Sequence, residues 1–162
     1  MDYQAKPTPE HEWLHQMLGD WTYESECDMG PDQPLGNFSG SDSVRSLGGL
    51  WILCEGHGIM PDGDEGRMII TLGYDSAKKR FVGTFVGSMM ANLWVYDGEL
   101  DADRKVLTLT AEGPSFSGDG TLTLFHDIMK IHDADHRTLS SEVRNPDGTW
   151  TKFMTAKYTR TK

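Results

Sequence analysis

From Trp21 to the end of the chain, short stretches of strand-forming residues alternate with Gly, Pro, Asn and Asp at intervals of about eight to twelve residues. Such punctuation leaves no room for long helices and fits a β-sandwich or barrel. Strands fall near 20–28, 36–46, 50–60, 67–74, 80–88, 91–97, 105–111, 121–132, 137–144 and 150–160. The loops between them are shorter than the crossovers of a dozen or more residues that parallel pairing needs, so consecutive strands should pair antiparallel in an up-and-down meander. Asp62-Gly63, Asp97-Gly98 and Asp147-Gly148 supply residues suited to tight turns. A sheet of this size removes its unpaired edges by closing on itself, and closure turns one set of side chains into a lumen.

Residues 1–7 read as a disordered lead and 8–162 as a single barrel domain. Thr8 can cap a helix with Pro9 in its first turn, and Trp13, Leu14, Met17 and Leu18 follow at helical spacing before Gly19 stops it. At 162 residues one core suffices. A net charge of −10 argues against a nucleic-acid partner or an anionic membrane, because phosphate contacts need clustered Lys and Arg. Lys78-Lys79-Arg80 and the Lys157 to Lys162 tail read instead as a turn and the end of a last strand. No basic-then-apolar leader and no bilayer-length apolar run occurs, so the expected location is the cytoplasm. Cys27 and Cys54 lie in separate strands without motif spacing and read as reduced thiols.

Several motifs follow one another in a specific order: His11 to Trp21 with Leu14, Leu18 and Gly19; Arg45 with Leu47-Gly48-Gly49; Gly73-Tyr74-Asp75 with Lys78 to Phe81; Tyr96-Asp97-Gly98; and a closing Lys152 to Arg160 strand. In that order they resemble a bacterial family, the domain of unknown function numbered fifteen seventy-nine. The resemblance implies a lipocalin-like, or calycin, barrel in which a Gly-x-Trp, here Gly19-Asp20-Trp21, plugs one end. It implies no activity and no catalytic residues. The expected fold class is therefore all-β, an about ten-stranded antiparallel up-and-down calycin-like barrel with a short N-terminal helix.

His11-Glu12-Trp13-Leu14-His15 matches the H-E-x-x-H zinc-protease pattern, whose two histidines share a helical face. A zincin also needs a third ligand and a cleft, and neither can be assigned, so both histidines are expected on the solvent side and no metal is expected. His132-Asp133-Ala134-Asp135-His136 falls at a strand-to-strand turn, and Asp97, Glu99, Asp101 and Asp103 read as another solvated hairpin. Nitrobindin-like calycins would place a proximal haem ligand near the C-terminus, but no His follows His136, and no cofactor is expected. No nucleophile elbow or phosphate loop is present either.

On the third strand Trp51, Leu53, Glu55 and His57 share a face, as do Trp150, Lys152, Met154, Ala156 and Tyr158 on the last; both faces are read as lining the lumen. The candidate ligand-binding set is Trp51, Glu55, His57, Tyr74, Met89, Met90, Trp94 and Met154, with flexible thioethers suited to an irregular guest. The leading reading is a binding module for a small, largely apolar ligand. One alternative is an enzyme using Glu55 and His57 for acid–base chemistry in the lumen, although Arg45 could instead hold Glu55 as a structural pair. Another is an interaction protein that homodimerises without a ligand. No catalytic residue is assigned.

Overall fold

The computed structural model describes residues 4–162. Of the expected disordered lead, residues 1–3 lie outside the described residues and 4–7 form neither helix nor strand. Helix α1 (Pro9–Leu14) runs into a single 3-10 turn (His15–Met17). Ten strands follow: β1 (Gly19–Cys27), β2 (Gly36–Leu47), β3 (Trp51–Ile59), β4 (Glu65–Asp75), β5 (Arg80–Gly87), β6 (Trp94–Leu100), β7 (Val106–Pro114), β8 (Leu122–Asp133), β9 (His136–Arg144) and β10 (Trp150–Arg160). Each pairs antiparallel with its chain neighbour, and β1 pairs with β10 to close the barrel.

Gly63 and Gly148 sit in their expected turns at φ of 90° and 88°, a region an L-residue enters at a cost. Asp97-Gly98 does not turn. These residues lie inside β6 opposite Thr110 and Leu109, and Gly98 is needed there because Leu109 and Phe81 pack where its side chain would stand. The chain reverses later, where the Asp101 carboxylate accepts the Lys105 and Val106 N–H groups at 2.8 and 3.0 Å. Asp97 and Glu99 consequently lie on the outer face, both paired to Arg80 at 2.8 and 2.6 Å. The β8–β9 reversal is the expected Asp turn, with Asp133 accepting the Asp135 N–H at 2.8 Å.

One end of the barrel is shut by the helix. Trp13, Leu14 and Met17 are buried with Ile52, Leu72, Phe81 and Leu107, and Trp13 Nε1 donates to the Arg104 carbonyl at 2.6 Å. Trp21 plugs this end at 2% exposure, donating Nε1–H to the Met17 carbonyl at 2.9 Å. The Arg137 and Arg160 guanidinium groups lie 4.6 and 4.2 Å from its ring centre. His11 is not on the solvent side: it is 4% exposed, its Nδ1 accepts the Thr8 N–H at 2.9 Å, and its ring meets Tyr74 edge-on. Burial follows from its capping duty, which folds the imidazole back over the first turn. His15 points elsewhere, its Nε2 standing 3.1 Å from the Gly49 carbonyl.

The alternation of β3 runs opposite to expectation. Ile52 and Cys54 are buried, which turns Trp51, Leu53, Glu55 and His57 outward. Trp51 lies over the bare backbone of Gly73, its partner on β4, so an apolar outer residue has a structural use. Glu55 pairs with Arg45 and His57 with Glu65, all four side chains being exposed. On β10 a bulge between Lys152 and Met154 breaks the expected face. Met154, Ala156 and Tyr158 front the lumen, whereas Trp150 stacks outside on His126 at 3.8 Å.

Candidate ligand cavity

Beyond the Trp21 plug a cavity of about 470 Å³ opens towards the end opposite the helix. Its upper wall is aromatic: Trp94 meets Phe125 edge-on at 4.9 Å, and Phe116 meets Phe125 and Phe153 at 5.6 and 5.0 Å. Gly113 makes room for Trp94, whose ring passes across its backbone. Trp94 Nε1 lies 2.9 Å from the Met90 sulfur at the mouth, and Met68 and Met154 complete the apolar lining. Phe116 is 68% exposed, so the aromatic cluster reaches from the lumen to the rim.

Two polar groups interrupt this lining at depth. Asp127, on the inward face of β8, accepts the Tyr96 hydroxyl on one oxygen and the Ser141 hydroxyl on the other, the latter at 2.5 Å. It lies deep in the barrel yet keeps accessible surface, because it fronts the cavity rather than packed side chains. Burial lifts its carboxyl above the ordinary range against the pull of those two hydrogen bonds. The Tyr96 phenol is pushed well up by its own burial and then by the adjacent carboxylate. Asp42, on β2, has the second carboxyl; Arg137 donates to it at 2.9 Å and stacks on Tyr158 at 4.0 Å. Burial raises Asp42 as well, with Arg137 opposing.

Tyr23 is 4% exposed, lines the cavity, and its hydroxyl makes no hydrogen bond among the described residues. Gly40 and Gly58 leave the space that hydroxyl occupies. Burial pushes the Cys54 thiol up to about 12, which keeps it protonated and unreactive. Cys27 and Cys54 are both free.

Of the residues singled out from sequence, Met90, Trp94 and Met154 line this cavity. Tyr74 is packed beneath it, its ring 5.0 Å from Phe81. Met89 stands at the rim, 39% exposed, outside the lining. Trp51, Glu55 and His57 are on the outer face, so the pair on which lumenal acid–base chemistry depended is not in the lumen. Sequence reasoning passed over Asp42, Asp127, Tyr23, Tyr96 and Ser141. For Asp127 a signal exists: Phe125, Asp127, Met129 and Ile131 form an apolar face broken by one acid. Among the described residues no three His, Cys, Asp or Glu side chains converge to hold a metal ion.

The fold and cavity define a class: small closed antiparallel barrels of calycin type, plugged at one end and open to an apolar chamber at the other. The family described as "Protein of unknown function (DUF1579)" matches residues 6–160, and the chain belongs to that family. Among solved structures, Rv2717c from M. tuberculosis shares the fold with a TM-score of 0.65 at 14% identity, over 97% of this chain and 100% of that one. The barrel EF1p2_mFAP2b, solved bound to DFHBI, gives a TM-score of 0.51 at 9% identity over 93% and 98% of the two chains. At such identities the likeness concerns fold alone. No curated protein matches the sequence.

Proposed function

We propose that this barrel binds a small, largely apolar molecule in its lumen. The observation that carries the reading is the chamber itself: about 470 Å³, walled by aromatic rings and thioethers and open at one end. Ligand pockets of roughly 300–1,000 Å³ with mostly apolar walls and a few placed polar groups are the usual form of small-molecule sites. The EF1p2_mFAP2b barrel, bound to DFHBI in its own structure, supports the reading by showing that a barrel of related shape can hold a small guest. The expected setting is the cytoplasm, in keeping with two free inward thiols.

The test is to fill the chamber. Ala111 lines it at 4% exposure, so Ala111→Trp places an indole where a ligand would sit. Titration with an uncharged apolar fluorescent dye such as Nile red should show saturable binding to the wild type and at least about a tenfold loss in the variant. The variant should still melt cooperatively. Undiminished dye binding by a folded Ala111→Trp would place the dye elsewhere and sink the reading.

A further inference from the structure

The lining of the chamber contains two carboxylates, Asp42 and Asp127, and no Lys, Arg or His. Their situations differ. Asp42 is neutralised by Arg137, which is 3% exposed and engaged by Asp42, Trp21 and Tyr158. Asp127 has two hydroxyl donors and, among the described residues, no cation paired to it. A carboxylate offers about four lone-pair sites, and Tyr96 and Ser141 occupy one on each oxygen, so acceptor capacity remains on a group that fronts the cavity.

The rim repeats this bias. The loops at the open end, residues 28–35, 60–64, 88–93, 115–121 and 145–149, contain Asp28, Asp32, Asp62, Asp64, Asp119 and Asp147 and no Lys or Arg, with Arg67 and Arg144 on the adjoining strand ends outnumbered by these acids. The loops at the helix end mix Lys78, Lys79, Arg104 and Lys105 with Asp101, Asp103 and Asp135. A guest therefore approaches through an acidic mouth towards an uncompensated acid. An anionic head group would meet repulsion at both places, and an uncharged guest would leave Asp127 desolvated without compensation.

We infer that the chamber selects lipophilic amines, with Asp127 as counter-ion to the ammonium and Trp94, Tyr96 and Phe125 as the rings around it. The inference rests on the lumen being a binding site. An ammonium brings three donors to the free lone pairs of Asp127, and aromatic faces attract the same charge. Trp94 and Tyr96 alternate on the inward face of β6, as Phe125 and Asp127 do on β8, so rings and acid lie one above the other. The Tyr23 hydroxyl, unpartnered among the described residues, is buried in the chamber wall against Gly40 and Gly58.

Three probes of one chain length separate the possibilities: decylamine, decanol and decanoate, each used below its micellar concentration to displace the dye at neutral pH. Decylamine should bind at least about tenfold tighter than decanol, and decanoate most weakly. Asp127→Asn should bring decylamine to within about threefold of decanol, while Glu55→Gln, which removes an acid from the outer face, should retain the preference. Equal binding of decanol and decylamine to the wild type, or a preference that survives in folded Asp127→Asn, overturns the inference and leaves the binding reading intact. Failure of all three probes to displace a bound dye overturns the inference, and the Ala111→Trp titration decides the binding reading. If Asp127→Asn does not fold, the wild-type ranking decides alone.

Discussion

Asp127 loses water on folding that Tyr96 and Ser141 replace only in part, and its carboxyl stands above the ordinary range for that reason. An acid whose native pKa exceeds its unfolded value binds more protons folded than unfolded between the two values. Its contribution to stability is therefore fully present below the unfolded carboxylate value of about 3.9 and is lost as pH rises through the raised native value. Asp127→Asn, neutral throughout, should gain on the wild type across that window, so the difference in melting temperature grows from pH 4 upward and then levels. A difference constant with pH would show that Asp127 is not titrating as its burial requires. The exposed Asp119 and Asp147 shift the opposite way but are common to both proteins, so the comparison cancels them. The residue itself was visible in sequence as one acid on an apolar face. Its significance was not, because β3 led the reading of the lumen astray: Trp51 and Leu53 on one face compete with Ile52 and Cys54 on the other, and only pairing of Cys54 with Val44 and Ile70 decides between them.

Helix α1 closes the barrel with little regular structure, six residues held by a Thr8–His11 cap and by what lies beneath. A helix this short is marginal by itself, so its stability comes from docking. Trp13 carries much of that docking, at 5% exposure with its Nε1–H on the Arg104 carbonyl and its ring edge-on to Phe81 at 6.1 Å. Trp13→Ala should cost about 3–5 kcal/mol in urea denaturation, the range for deleting a large buried aromatic. A loss below about 1 kcal/mol would mean the helix is an appendage to a self-sufficient barrel. Elements were the legible part of this protein: turn residues and strand-formers locate all ten strands within three residues of their ends. The strand most displaced at both ends is β6, which runs on to Leu100 rather than ending near residue 97, because Asp97-Gly98 has turn chemistry but serves as a packing gap. The β10 bulge was equally hidden, since a single extra residue leaves composition unchanged while reversing every side chain before it.

Charge is distributed along the barrel axis and not only summed to −10. Six aspartates lie in the mouth loops, outnumbering Arg67 and Arg144 on the adjoining strand ends, and the loop cations Lys78, Lys79, Arg104 and Lys105 lie at the helix end among Asp101, Asp103 and Asp135. Hydrogen bonds from Thr121 and Ser117 hold Asp119 down at about 2, so this part of the ring stays ionised at any physiological pH. A field of this form acts on the approach of a charged guest more than on its final affinity, and it reaches only as far as salt allows. The Debye length shrinks from about 30 Å at 0.01 M to about 8 Å at 0.15 M. Stopped-flow association of decylamine should therefore slow several-fold over that range, while decanol, which feels no field, should enter at an unchanged rate. Asp62→Asn with Asp64→Asn removes two of the six charges from one loop and should flatten the salt dependence without altering the dissociation rate. Equal salt dependence for the amine and the alcohol would mean that the acidic rim serves solubility alone and that any preference for amines arises entirely at Asp127.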